Sequence, residues 1–366
     1  MFAKEIQMKR FFACLLIILS VLIFKPNDLR AELSGEALQV GESNQQEQAE
    51  KVKRIKSDLY HKNRIERKRK QKPEAKTFMD KLDLHYGVNE GFDRNVKLDS
   101  SHKRDFYTAQ SVGVGYTDHI KNTFIYRLGY NLHHKGYYKF ADRRLLDQTF
   151  SAETALKLIP HHLYLETDYR YRILRRQHTP LSDFNGNEIK IGLKNYIIKD
   201  TFYHKPSYLF FHNDYRKFKA RNAQGEHGLK VRRDNINAFD EELGLHLPHH
   251  FLIRVHNQIG HSDSNDQFLD FYDYSYYQVT PIISWEPTDK WLVLTGFFFQ
   301  HNNYNERAVY GTAEKENLYS AFGSVFYHFN PHVTWSFDCF YIKSDTNVPE
   351  LEFEDASFST GLHFHF

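Results

Sequence analysis

The feature that most constrains this chain is a two-residue alternation of apolar and polar side chains, which runs from Phe78 to the last residue. In residues 163–173, one face of an extended chain carries leucine, isoleucine, threonine and tyrosine, and the other is mostly glutamate, aspartate and arginine. Residues 122–133 and 187–198 divide in the same way. A helix cannot separate residues with a period of two, whereas a β-strand does. The pattern therefore predicts strands, and many are longer than the about five or six residues usual in soluble sandwiches.

Connections between these segments alternate between short and long. Short connections fall at 117–121, 159–161, 248–250, 286–289 and 330–331, and one longer member of the same set lies at 199–205. Long connections fall at 93–104, 134–146, 174–186, 218–237, 262–270, 302–315 and 344–355. An even number of strands with short turns at one rim and long loops at the other is typical of a transmembrane β-barrel. We therefore expect residues 78–366 to form an all-β, antiparallel transmembrane barrel of about 14 strands.

The composition of the chain is compatible with a membrane barrel in spite of its low mean hydropathy. Mean hydropathy is −0.64, yet 16% of residues are aromatic, with 24 Tyr and 31 Phe. A barrel needs an apolar side chain only at every second position, and rings suit its two membrane interfaces. Residues 271–277, and Trp291 with residues 297–299, are expected at these girdles. Rings packed in a soluble core are the alternative.

Residues 1–31 have the three parts of a secretory signal peptide. A basic start precedes the apolar run Phe11–Phe24, and a short polar tail ends at the small residue Ala31. The 14 apolar residues are fewer than the about 20 that a membrane-spanning helix needs. We expect cleavage after Ala31; an uncleaved anchor is the alternative. Cleavage would leave Cys339 as the one thiol, without a partner for an internal disulfide.

Residues 32–77 form a separate polar segment, expected to be a basic periplasmic linker, helix or plug. Its part 51–72 has eleven basic residues against Asp58 and Glu66. Val52, Ile55 and Leu59 have helical spacing. A solvated helix or linker is one interpretation; a partial plug of the lumen, or contact with anionic lipid, peptidoglycan or periplasmic proteins, is the other. Nucleic acid is not expected as a partner of a secreted chain.

The last strand alternates through to a terminal phenylalanine, with its apolar positions at Phe358, Leu362, Phe364 and Phe366. This strand resembles the assembly signal of Gram-negative outer-membrane barrels. The resemblance implies outer-membrane location, with outer-membrane lipid and the barrel-insertion machinery as partners. Residues 86–96 also resemble the first strand of exopolysaccharide-associated barrels and of the barrel part of surface lipoprotein assembly modifiers. The 46 residues before Phe78 are too few for the helical-repeat domain of those modifiers.

The polar face of the strands supplies the expected lumen residues. Fourteen strands lie between barrels of eight, which side chains fill, and barrels of sixteen to eighteen, which hold an aqueous channel. Residues 78–366 hold 32 basic and 36 acidic side chains, which argues against strong anion selectivity. Opposite charges are expected either to pair across strands or to form a transverse field for zwitterionic or sugar solutes. The predicted pore-lining residues are Arg127, Glu153, Lys157, Glu166, Asp168, Arg170, Arg172, Lys190, Lys194, Asp214, Arg216, Arg254 and Asp338.

The 22 histidines do not form a pattern typical of a metal site. Adjacent histidines, as at 133–134, 161–162 and 249–250, point to opposite faces of a strand and suit chelation poorly. The sequence also shows no catalytic motif and no outward serine–histidine pair of the kind that lipid-hydrolysing barrels use. We therefore expect no enzyme activity, no metal site and no cofactor; a barrel hydrolase with an acid–histidine cluster at the extracellular rim is the alternative. The predicted function is a passive or weakly selective channel for small polar solutes. The alternative is an export or surface-assembly barrel, for polysaccharide or surface protein, that works with periplasmic partners; an adhesive role for the long loops also stays open.

Overall fold

A computed structural model describes residues 78–97, 102–120, 123–177, 183–222, 227–267, 272–309, 312–347 and 351–366. The predicted signal peptide and the predicted segment 32–77 lie outside these residues. In the described part, 14 antiparallel strands form one closed barrel, in which each strand pairs with its neighbours in sequence and β1 pairs with β14. The predicted fold class and strand number are confirmed.

The described chain begins with a one-turn helix, α1 (Phe78–Lys81), and has a short 3-10 helix before β4 (Ala141–Arg143). The strands are β1 (Leu82–Asp93), β2 (Asp105–Ile120), β3 (Phe124–Tyr137), β4 (Leu145–Ile159), β5 (Leu163–Arg176), β6 (Phe184–Ile198), β7 (Phe202–Arg221), β8 (His227–Leu247), β9 (Phe251–Ser264), β10 (Tyr274–Thr288), β11 (Trp291–Val309), β12 (Thr312–Asn330), β13 (Val333–Thr346) and β14 (Phe353–His365).

Large apolar side chains on the outer face of the barrel are exposed. Leu128, Ile191, Ile259 and Phe297 belong to this set and come from strands all around the wall. Direct cross-strand partners share a face of the sheet, so the pairing extends each outer row from strand to strand. This is the inverse of a soluble barrel, whose apolar face is inside.

The two rims differ as predicted, but the strands reach further. The hairpin β7–β8 has strands of 20 and 21 residues, so most of the expected loop 218–237 is strand. Most of the expected loop 302–315 is also strand. The expected long turn 199–205 is likewise wrong, because β6 ends at Ile198 and β7 begins at Phe202. Beyond the apolar band, a strand needs no lipid-facing side chain, so its sequence loses the alternation that reveals it.

The barrel closes where the first and last strands meet. The register runs from His85 opposite His365 to Asp93 opposite Ser357. At the short-turn rim, the Leu84 amide donates to the Phe366 carbonyl (3.2 Å), and the Phe366 amide donates to the Leu84 carbonyl (2.9 Å). Both ends of the barrel chain therefore lie at one rim.

Rings gather on the outside of the short-turn rim. Phe251 stacks on Trp285 with ring centroids 5.0 Å apart, and Trp291 contacts Tyr327 at 4.7 Å. Of the predicted girdle at 271–277, Tyr272 and Tyr276 are instead buried; Tyr276 pairs with Gly260 and Asn302 on the inner face. In the described residues, no helix has the length and apolar character to cross a membrane.

Candidate functional site

The inner face of the barrel carries the charged side chains. Arg127 lies opposite Glu153, which lies opposite Asp168, which in turn lies opposite Lys190. Cross-strand partners share a face, so these four residues form one row around the wall of β3 to β6. The exposed apolar residues of the outer face include several of their neighbours along the strands: Leu128, Tyr169, Ile189 and Ile191. The charged row therefore faces the lumen.

Eleven of the thirteen predicted pore-lining residues lie on this inner face by strand register. They are Arg127, Glu153, Lys157, Glu166, Asp168, Arg170, Arg172, Lys190, Lys194, Arg254 and Asp338. That they line a conducting path stays a prediction.

Asp214 and Arg216 lie on the opposite face, so their predicted lumen position is wrong. Asp214 pairs with Arg233 across β8 and with His212 along β7, and Arg216 is exposed. Asn213, one residue away from Asp214, is the buried inner residue. In residues 208–211, a run of Tyr-Leu-Phe-Phe places apolar side chains on both faces, so the sequence cannot show which face is inside.

Most lumen charges are paired with a partner of opposite sign. Arg127 Nη1 lies 2.9 Å from Glu153 Oε2, and Arg172 makes a bidentate contact with Asp147 (2.6–3.1 Å). Arg170 has two weaker contacts, at 3.7 Å to Asp168 and 4.0 Å to Glu188. The predicted cross-strand pairing is thus present.

Two of these ion pairs span a whole intervening strand. Lys205 on β7 contacts Glu166 on β5, and Lys190 Nζ on β6 lies 2.5 Å from Asp240 Oδ1 on β8. Gly192 lies between Glu166 and Ser207 in the register, and a Cβ there would meet Lys205 Cε at 3.0 Å. The absence of a side chain at Gly192 lets the lysine lie flat across β6.

Lys205 and Asp240 were missing from the predicted site. Lys205 lies within the expected turn 199–205, where the alternation assigns no inner or outer face. In β8, Asp240 and Glu242 alternate with Glu241 and Leu243, and this period-two signal could have placed both acids on the inner face.

The other side of the lumen is apolar. Ten side chains of β10 to β14 form one buried cluster, 0 to 7% exposed, which we call the apolar wall: Ile282, Leu292, Leu294, Phe298, Leu318, Phe322, Phe326, Phe340, Ile342 and Phe353. Register places these side chains on the inner face; Phe322, for example, lies between Gly296 and Phe340. This wall could not be predicted from the alternation, because β11 is apolar on both faces, as in Phe297-Phe298-Phe299.

A polar row crosses the upper part of the same wall. Gln258, Gln278 and Gln300 lie opposite one another on β9, β10 and β11. Tyr276 donates to Gln258 (2.9 Å), and Asn302 donates to Glu316 (2.9 Å). These amides provide donors and acceptors without net charge, which suits contact with hydroxyl groups.

An aromatic cage holds an arginine near the long-loop rim. Arg232 is fully buried and pairs with Asp234 through two contacts of 2.5 and 2.7 Å. Its guanidinium carbon lies 3.9 Å from the ring centroid of Tyr272, 4.9 Å from that of Tyr215 and 5.1 Å from that of Phe218. Cation–π contacts of this kind stabilise a desolvated guanidinium. The cage fixes the β7–β8 hairpin to the β9–β10 connection.

The predicted assembly-signal residues lie on the outer face of β14. Phe358, Leu362 and Phe364 are register partners of Phe92, Val88 and Tyr86 on β1. Within the described ranges, no group of three His, Cys, Asp or Glu side chains is arranged to hold a metal ion.

No protein-family model and no curated protein sequence matches the chain. Its structure is similar to that of outer-membrane expressed OmpT of Vibrio cholerae, with TM-score 0.44, 10% identity, and 78% of this chain and 97% of that chain covered. It is also similar to the CymD monoaromatic hydrocarbon channel, with TM-score 0.46, 10% identity and coverage of 78% and 88%. OccAB3 of Acinetobacter baumannii gives TM-score 0.41, 8% identity and coverage of 78% and 99%. These likenesses are distant, and the porin-like barrel architecture rests on the strand pairing of this chain itself.

Proposed function

We propose that this protein is an outer-membrane channel through which small polar solutes pass down their gradients. The carrying observation is a closed barrel whose exposed outer face is apolar and whose inner face, along β3 to β6, is charged and in contact with water. A passive channel needs neither a catalytic residue nor a cofactor.

The apolar outer face of the barrel favours contact with lipid. Exposed leucine, isoleucine and phenylalanine side chains around the barrel match the apolar band of about 25 Å that lipid requires. Rings such as Phe251, Trp285 and Trp291 at the short-turn rim suit the membrane interface. All described strands pair on both sides, so no strand edge is left unpaired in the bilayer.

Solute character follows from the chemistry of the lumen. The β3–β6 wall presents ammonium, guanidinium and carboxylate groups in pairs. Paired charges give a weak net field, so we expect weak ion selectivity and passage of neutral or zwitterionic polar solutes. Lipid would then be the partner of the outer face. The insertion machinery would bind the C-terminal strand through Phe358, Leu362, Phe364 and Phe366.

The test is conductance of the purified protein in planar bilayers, together with swelling of liposomes in sugars of increasing size. Discrete current steps and size-limited swelling are expected. Wild type is compared with a variant in which Val52, Ile55 and Leu59 are changed to aspartate. In that way, a lumen blocked by the N-terminal segment is not mistaken for a barrel that conducts nothing.

Folding is checked by the shift in gel migration between boiled and unboiled samples. If both proteins migrate as folded barrels, carry no current and admit no sugar, the channel proposal is refuted. Loss of polysaccharide or protein from the cell surface in a deletion strain would then favour the export alternative.

A further inference from the structure

The inner face of the barrel differs from place to place in its access to water. The apolar wall is 0 to 7% exposed, and even short inner side chains between its members, such as Ser320, Ser336 and Ser344, are 0% exposed. On the β3–β4 side, Arg127 and Glu153 keep 19% and 37% of their side-chain surface exposed.

Packing of the barrel's own side chains does not account for this difference. Side chains fill the interior of a barrel of about eight strands, and fourteen strands enclose a wider space. If wall side chains filled the lumen, Arg127 and Glu153 would be as buried as the apolar wall. Among the described residues, extensive backbone contacts also join each strand to its barrel neighbours and not to the opposite wall. Something specific covers the apolar wall.

The chemistry of this wall defines what covers it. Besides the ten apolar side chains, the inner positions of β12 to β14 carry four carboxylates and, in the described residues, no lysine or arginine. These carboxylates are Glu314, Glu316, Asp338 and Asp355. An occupant that buries apolar surface beside carboxylates should be amphipathic and basic.

We infer that residues 51–72 of this same chain lie against the apolar wall as a partial plug. The segment places Val52, Ile55 and Leu59 at helical spacing among eleven basic residues. Its apolar residues match the wall, and its charge is opposite to that of the wall carboxylates. The inner face around Arg127 and Glu153 is left open to water.

The connection to the barrel is long enough. The described chain starts at Phe78, whose ring contacts Tyr116 at 5.6 Å near the short-turn rim. Residues 73–77 can span up to about 17 Å when extended, enough to cross the rim into the lumen. As a helix, 22 residues extend about 33 Å, comparable to the thickness of the membrane. The inference goes beyond the proposed channel, because it concerns what fills the lumen whether or not the barrel conducts.

The experiment measures thiol access in the full-length chain. In a background with Cys14→Ser and Cys339→Ser, Ser320→Cys puts a single thiol in the apolar wall. Its reaction rate with a sulfonated, membrane-impermeant maleimide is compared with that of the same protein carrying Val52→Asp, Ile55→Asp and Leu59→Asp. Thr149→Cys, on the water-accessible inner face of β4, is the matched control in both forms.

We expect the aspartate changes to raise labelling at position 320 by at least about tenfold, equivalent to about 1.4 kcal/mol, and to leave labelling at position 149 unchanged. A second measurement needs no disruptive change. Ser320→Cys is combined with Cys at position 52, 55 or 59, oxidised, and searched by mass spectrometry for a linked peptide. Either a selective rise in labelling or a link supports the plug.

Equal labelling of Ser320→Cys in both forms, with no link at any of the three positions, would overturn the inference. If the barrel conducts under that outcome, the proposed channel function stands and the plug is refuted. If labelling is selective but the barrel never conducts, the plug is supported and the channel function is refuted. The two proposals therefore fail separately.

Discussion

The ion pair between Lys205 and Glu166 should stabilise the barrel far more than an ion pair at its surface. The Lys205 and Glu166 side chains are 10% and 25% exposed, and Glu242 lies nearby on β8, opposite Lys205 in the register. Lys205→Met removes the cation and leaves two carboxylates facing each other in a poorly hydrated space. Breaking a buried pair in this way costs about 3–5 kcal/mol. Since Glu166 keeps partial contact with water, we expect about 3 kcal/mol.

The matched control is Lys343→Met. Lys343 Nζ lies 2.6 Å from Asp345, so the contact is as short, but both side chains are 39% exposed. Exposed pairs contribute about 0–1 kcal/mol. The two variants thus remove the same kind of cation from a short contact, at a buried and at an exposed position.

Urea unfolding in phospholipid vesicles, followed by the loss of the fast-migrating unboiled band, measures the difference. With a slope of about 2 kcal/mol per molar urea, Lys205→Met should lower the midpoint by about 1.5 M, and Lys343→Met by less than about 0.5 M. Equal shifts for the two variants would show that the inner ion pairs do not stabilise the wall as described. Glu166→Gln added to Lys205→Met should recover part of the loss, because it removes one of the unpaired charges.

Other variants test selectivity, packing and assembly. Lys190→Ala leaves Asp240 in the lumen without its paired lysine. A unit charge about 6 Å from a passing monovalent ion in water changes the energy of that ion by about 0.7 kcal/mol, so the cation-over-anion permeability ratio, measured from reversal potentials, should rise about threefold. Lys315→Ala, on the outer face, should leave this ratio unchanged. Gly192→Ala should lower the free energy of unfolding in the urea assay by about 1–3 kcal/mol, because its Cβ would lie 2.3 Å from the Ser207 hydroxyl oxygen. Gly115→Ala, whose Cβ would have its nearest contact at 3.7 Å, should leave this free energy unchanged. Phe366→Ala should reduce barrel assembly in cells but not refolding in detergent, because the side chain is 67% exposed; an equal defect in both assays would make its role structural.

The strand number and the two kinds of rim could be predicted from the sequence because each lipid-facing row must be apolar. That requirement imposes a period of two wherever the wall crosses the membrane. It lapses in the upper parts of β7, β8, β11 and β12, so these segments looked like loops.

The lumen was harder to predict. A charge at alternate positions marks the inner face only if the other face is apolar, which holds for Asp168 and Lys190 but not around Asp214. An inner apolar side chain carries no such mark. Phe298 was therefore assigned to a girdle together with residues 297 and 299, although it lies in the apolar wall. Pairing over an intervening strand, as between Lys205 and Glu166, depends on three-dimensional reach that no local pattern shows.

The reciprocal hydrogen bonds between Leu84 and Phe366 have a consequence for the order of the chain. They place the two ends of the barrel sequence side by side, so a short linker could join them and a new start could be made at the Asn330–Pro331 turn. Such a circular permutant would keep every strand pair while moving β14 to the interior of the sequence and making β12 the last strand. It would thus separate what a strand contributes by its place in the wall from what it contributes by its place in the order of strands.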